Sequence, residues 1–117
     1  MKALANARWI KLDRLCLADL PNYCDVAGVY VMRRAATGEV IYIGSTDTLR
    51  RRLFANHMGG VGGLTTQRIH AELFAPDVLA GVEVTWIVSD DHKGLEIELK
   101  RQFVGLGGSS LPAWVRR

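Results

Sequence analysis

Two β-forming runs set close together in the first half of the chain constrain the fold most. Gly28-Val29-Tyr30-Val31-Met32 is followed by Arg33-Arg34, then by the turn segment Ala35-Ala36-Thr37-Gly38-Glu39, then by Val40-Ile41-Tyr42-Ile43 and Gly44. β-Branched and aromatic residues fill both runs, which suits a pleated surface packed against a core. A short connection with glycine at its tip joins antiparallel neighbours, because parallel strands need a much longer crossover. The two runs are therefore expected to lie side by side as a β-hairpin.

Beyond the hairpin the pattern changes to helical. Ser45-Thr46-Asp47-Thr48 offers successive N-cap residues, and a helix is expected from Leu49 to His57. The glycines of Met58-Gly59-Gly60-Val61-Gly62-Gly63 end it in a mobile loop, since glycine sustains a helix poorly. Thr65-Thr66 opens a second helix to about Phe74, ahead of Pro76. Val82-Glu83-Val84-Thr85-Trp86-Ile87-Val88 alternates and is β-branched, which predicts a third strand. Ser89-Asp90-Asp91 caps a last helix to about Leu106, stopped by Gly107-Gly108-Ser109-Ser110, and Trp114 is expected to pack back on the body. The fold class is thus α+β, a small three-stranded, mostly antiparallel sheet flanked by helices. A length of 117 residues fits a single domain over 1–117.

Composition narrows the setting. Hydrophobic residues at 49% and charged residues at 23% are ordinary for a globular domain and exclude a disordered chain. No apolar run approaches the roughly 18 residues of a membrane span, and the N-terminus does not read as a signal peptide. Cys16 and Cys24 lack the paired spacing of a zinc site, so a cytoplasmic location with reduced thiols is the expectation. The net charge of +3 points only weakly to a polyanion, but Arg50-Arg51-Arg52 and Lys100-Arg101 are compact basic groups. Arg50, Arg51 and Lys100 are the candidates for nucleic-acid contact.

Gly28-Val29-Tyr30, followed after eleven residues by Tyr42-Ile43-Gly44, resembles the paired tripeptides of the GIY-YIG nucleases. Leu49 and Arg52 follow at the spacing of that family's helix, His57 stands where many members carry histidine, and Leu95-Glu96 falls where the family holds its metal-binding glutamate. The resemblance runs from about Ala27 to Phe103, which leaves a short N-terminal extension and a C-terminal tail. It implies a metal-dependent endonuclease with catalytic residues Tyr30, Tyr42, Arg52, His57 and Glu96. Glu96 would hold one divalent cation, Mg²⁺ or Mn²⁺. Tyr30 would be the general base for the attacking water, Arg52 would stabilise charge at the phosphate, Tyr42 would orient water or phosphate, and His57 would hydrogen-bond phosphate or assist proton transfer. Gly28 and Gly44 would serve the backbone. Two positions depart from the family. Ser45 stands where some members carry lysine, and no Pro-x-x-Asn segment follows the last helix.

Helix geometry separates neighbours independently of the resemblance. At about 100° per residue, Leu49, Leu53 and Asn56 share one face, Arg52 flanks it, and Arg50 and Arg51 turn toward solvent. On the last helix the stripe of Leu95, Leu99, Phe103 and Leu106 has Glu96 at its edge, whereas Glu98 points away. His70 and His92 read as surface or cap residues, and Asp90-Asp91 as a helix start.

The expected function is hydrolysis of phosphodiester bonds in DNA, branched or otherwise structured forms included, by tyrosine-activated attack of water. The alternative is a catalytically silent nucleic-acid-binding module of the same fold. A structural or inhibitory interaction protein is a third, weaker reading. Oligomeric state, and any partner that supplies specificity, are open from sequence.

Overall fold

A computed structural model describes residues 7–15, 26–53, 64–74, 78 and 81–105. His57, the Gly59–Gly63 loop, both cysteines and the Trp114 segment lie outside the described residues.

The hairpin forms as expected and extends further than its apolar runs. Strand β2 covers Gly28–Arg34 and β3 covers Val40–Thr46. Gly38 closes the turn with φ 74°, a left-handed conformation that suits glycine, and its N–H donates to the Arg34 carbonyl at 2.8 Å. The pairing runs from Gly28↔Thr46 to Met32↔Tyr42, then shifts register at a bulge after Met32. Strand β4, Val82–Val88, lies antiparallel along the other side of β2, from Gly28↔Val88 to Arg34↔Val82.

The sheet has four strands rather than three. Ile10–Lys11 forms a short strand β1 on the outer edge of β4, opposite Val84 and Glu83. Two residues carry no readable periodicity; this strand exists because β4 offers it an edge. The order is β1-β4-β2-β3, all antiparallel. A single 3-10 turn, Leu12–Arg14, then tucks Leu12 into the core.

β2 is buried on both faces, which is why its sequence reads as a continuous apolar run. One face gathers Tyr30, Met32, Tyr42, Val82 and Val84 beneath Leu49 and Leu53 and beneath Ile69 and Leu73 of the helix Leu64–Leu73. The other gathers Val29, Val31 and Ile43 beneath Leu99. The helix before Leu64 begins at Leu49 and is α1, assigned over Leu49–Arg51; Leu64–Leu73 is α2; His92–Gly105, which supplies Leu99, is α3. Leu49, Leu53 and Leu99 are fully buried and Arg51, Ile97 and Glu98 exposed, as the stripes require, but Arg50, expected to turn toward solvent, is half-buried. The Asp91 carboxylate caps α3, accepting from the Gly94 N–H at 3.2 Å.

Candidate active site

Tyr30 sits in the middle of the central strand, paired with Gly44 on one side and Trp86 on the other. Its side chain is fully buried. The ring fits there because residue 44 has no side chain: a β-carbon at Gly44 would stand 2.5 Å from the Tyr30 hydroxyl and 2.9 Å from Cε2 of Tyr42. Gly28 is constrained more severely. A β-carbon there would strike the Ile87 carbonyl oxygen and lie 2.8 Å from Cδ1 of Leu49. Both glycines are therefore places of close approach, one between a strand and an aromatic ring, the other between two strands and a helix.

Arg52 brings the first turn of α1 to Tyr30. Its Nε donates to the Tyr30 hydroxyl at 3.3 Å, and the Tyr30 and Tyr42 ring centroids are 5.8 Å apart at 37°. These three side chains form one cluster. Burial, followed by the nearby Tyr42 phenol, pushes the Tyr30 hydroxyl well above the usual tyrosine range, against the opposing pull of Arg52. Burial acts to lower the Arg52 guanidinium, but the two phenols outweigh it and the net shift is upward. In the free protein Tyr30 is accordingly a neutral phenol beside a permanent cation.

Glu96 approaches from the other side of the sheet. Ser45 pairs with Val29, whose side chain belongs to the α3 face. The Ser45 hydroxyl donates to Oε1 of Glu96 in a short hydrogen bond. Lys100, one turn along α3, places Nζ 2.5 Å from Oε2 of the same carboxylate. Glu98 instead pairs with Arg101 at the surface, so helix phase does separate the two glutamates.

A polar cavity of about 710 Å³ connects the two halves. Ser45, Thr46, Asp47 and Thr48 form one wall, Arg51 and Arg52 a second, and His92 and Lys93 of α3 a third. Thr46 shapes its floor by accepting the Thr48 N–H at 3.0 Å. Thus Arg52 borders the cavity and holds Tyr30, while Ser45 borders it and holds Glu96.

Of the candidate residues, Tyr30, Tyr42 and Arg52 come together directly, and Glu96 joins them through Ser45 and the cavity. Arg51 lines that cavity. Arg50 is half-buried and does not. Lys100, expected to contact nucleic acid, has its ammonium on Glu96. His57 lies outside the described residues. Sequence reasoning missed His92 and Lys93, which looked like an ordinary helix start, and treated Ser45 only as a departure. Period-two alternation along β3 was the available signal for Ser45, since it sets that residue on the face opposite Tyr42.

The family model described as the GIY-YIG catalytic domain matches residues 26–103. Neither the comparison with curated proteins nor that with solved structures gives a match.

Proposed function

The chain belongs to the GIY-YIG catalytic-domain family, whose activity is of the nuclease type, and from that premise we propose that it is a metal-dependent endonuclease of DNA. The observation that carries this reading is the buried Tyr30–Tyr42–Arg52 cluster opening, through Arg52, on a polar cavity whose Ser45 hydroxyl donates to Glu96.

Hydrolysis of a phosphodiester needs a group to take a proton from water and positive charge where the phosphorane develops. Arg52 supplies fixed charge through a planar fork of donors, part of which already holds Tyr30. Tyr30 accepts the proton of the attacking water as a phenolate, the form that Arg52 favours and burial opposes. Tyr42, packed on Tyr30, sets the direction of that hydroxyl and orients water or phosphate.

Glu96 is the candidate cation ligand. Among the described residues no three His, Cys, Asp or Glu side chains gather, and the reading gives the ion one carboxylate, that of Glu96. That suits Mg²⁺, which takes one or two carboxylates and keeps water and phosphate oxygens for the rest. Each Glu96 oxygen also has a lone pair beyond the one given to Ser45 or Lys100. When bound there, the ion supplies Lewis-acid stabilisation of phosphate charge. Ser45 and Lys100 hold the carboxylate in place, and the lysine partly neutralises it.

Incubating supercoiled plasmid and branched DNA with the protein and Mg²⁺ or Mn²⁺, with Arg52→Ala as the comparison, tests the reading. Cutting that drops sharply in the variant supports it. Salt-sensitive binding with no cutting by the wild type would instead mark a silent binding module.

A further inference from the structure

The cavity wall contributed by α3 plays no part in the chemistry assigned to Tyr30, Arg52 and Glu96. We propose that this cavity is the seat of a second, uncut phosphate of the nucleic-acid backbone, held by Lys93, His92 and Arg51 beside the phosphate that Arg52 addresses. The proposal rests on the nuclease reading and deepens it.

Charge is the first argument. Among the residues that line the cavity, Arg51, Arg52 and Lys93 are permanent cations and Asp47 is the one carboxylate. The cavity is about 710 Å³ and open to solvent, so a backbone phosphate can enter it. Hydroxyls of Ser45, Thr46 and Thr48 add neutral donors of the sort that bind phosphate oxygens.

His92 is the second. It is half-buried and lines the cavity beside Lys93.

At the start of α3, Asp91 accepts the Gly94 N–H through its carboxylate and the Leu95 N–H through its carbonyl. Position is the last argument: the cavity lies between Arg52, bound to Tyr30, and Ser45, bound to Glu96. A strand whose phosphate is cut at that junction passes along the α3 wall on one side.

The test uses the full chain with a fluorescently labelled duplex in chelator, where nothing is cut, and reads anisotropy across a KCl series. Lys93→Gln should weaken binding about tenfold at 0.1 M salt and make the slope of log K against log salt shallower by about one. Asp47→Asn should tighten binding. Arg14→Gln, an exposed site beside β1 at the opposite edge of the sheet from β3, should change neither quantity. With Mg²⁺ present, Lys93→Gln should raise KM and leave kcat within about twofold, whereas Arg52→Ala lowers kcat.

Wild-type binding and cutting, with Lys93→Gln indistinguishable from wild type or from Arg14→Gln, overturns the second seat and leaves the nuclease reading standing. A wild type that neither binds nor cuts DNA overturns both. Calorimetry with inorganic phosphate alone separates the remaining source. Phosphate binding that Lys93→Gln abolishes, alongside unchanged DNA affinity, would give the cavity to free phosphate and overturn the proposal.

Discussion

The phenol of Tyr30 lies over Gly44, its cross-strand partner, so closely that a β-carbon at residue 44 would stand 2.6 Å from Cζ of the tyrosine. The missing side chain leaves room for the ring to lie across β3 toward α1, where Arg52 meets the hydroxyl. Tripeptide spacing thus has a mechanical cause: one strand's glycine is the other strand's tyrosine pocket.

Gly44→Ala should therefore fold with a displaced Tyr30, losing on the order of 1–3 kcal/mol as an overpacked core does and most of its cleavage activity. Gly38→Ala is the contrast. Nothing lies within 4 Å of a β-carbon there, and its φ of 74° gives only local backbone strain, about 1–2 kcal/mol, with the active cluster untouched. Urea unfolding and plasmid nicking, measured on both variants, separate a site effect from a stability effect.

Arg52 and Arg51 should differ although they are adjacent. Arg52→Ala removes the cation at Tyr30 and should slow cleavage on the order of 10²–10³-fold. Arg51→Ala leaves the cluster intact and should act mainly on the salt dependence of binding. Arg52→Lys should not restore the rate, since a single ammonium cannot replace a planar fork shared between phenols and phosphate. Equal rate losses for Arg51→Ala and Arg52→Ala would remove the distinction drawn from helix phase.

The raised Tyr30 hydroxyl gives a signed pH dependence. A base that is protonated throughout the neutral range must yield a rate that climbs with pH, about tenfold per unit, with no plateau below the ordinary tyrosine value of about 10. Stability runs the other way. Because the folded value lies above the unfolded one, the stabilisation is fully present below about pH 10 and is lost as pH rises beyond it. Tyr30→Phe should abolish the first dependence and lessen the second; a flat rate profile from pH 6 to 9 would deny Tyr30 the role of base.

Much of the fold is local and so was legible. Val82–Val88 alternates and ends where it was expected, and the hairpin turn carries glycine where φ turns positive. β1 was not legible, because two residues become a strand only beside β4. The site divides in the same way. Tyr30, Tyr42 and Arg52 sit at spacings set by one hairpin and one helical turn, so their meeting follows from short-range geometry. Ser45 meets Glu96, and His92 and Lys93 share a cavity with Arg51, only because α3 packs on the β2–β3 face through Leu99. Lys100 shows the ambiguity of a basic residue: at four residues from Glu96 it is equally well placed for an intrahelical ion pair, which is where it lies.

The central claim, a nuclease that cuts with a cation held by Glu96, is tested most directly by supercoiled-plasmid cleavage in Mg²⁺ by wild type and Glu96→Ala, with DNA binding measured on both. Cutting by the wild type that chelator removes is expected, with no cutting by the variant despite DNA binding of similar strength. Equal cutting by Glu96→Ala, or cutting by the wild type that persists in chelator, would contradict it.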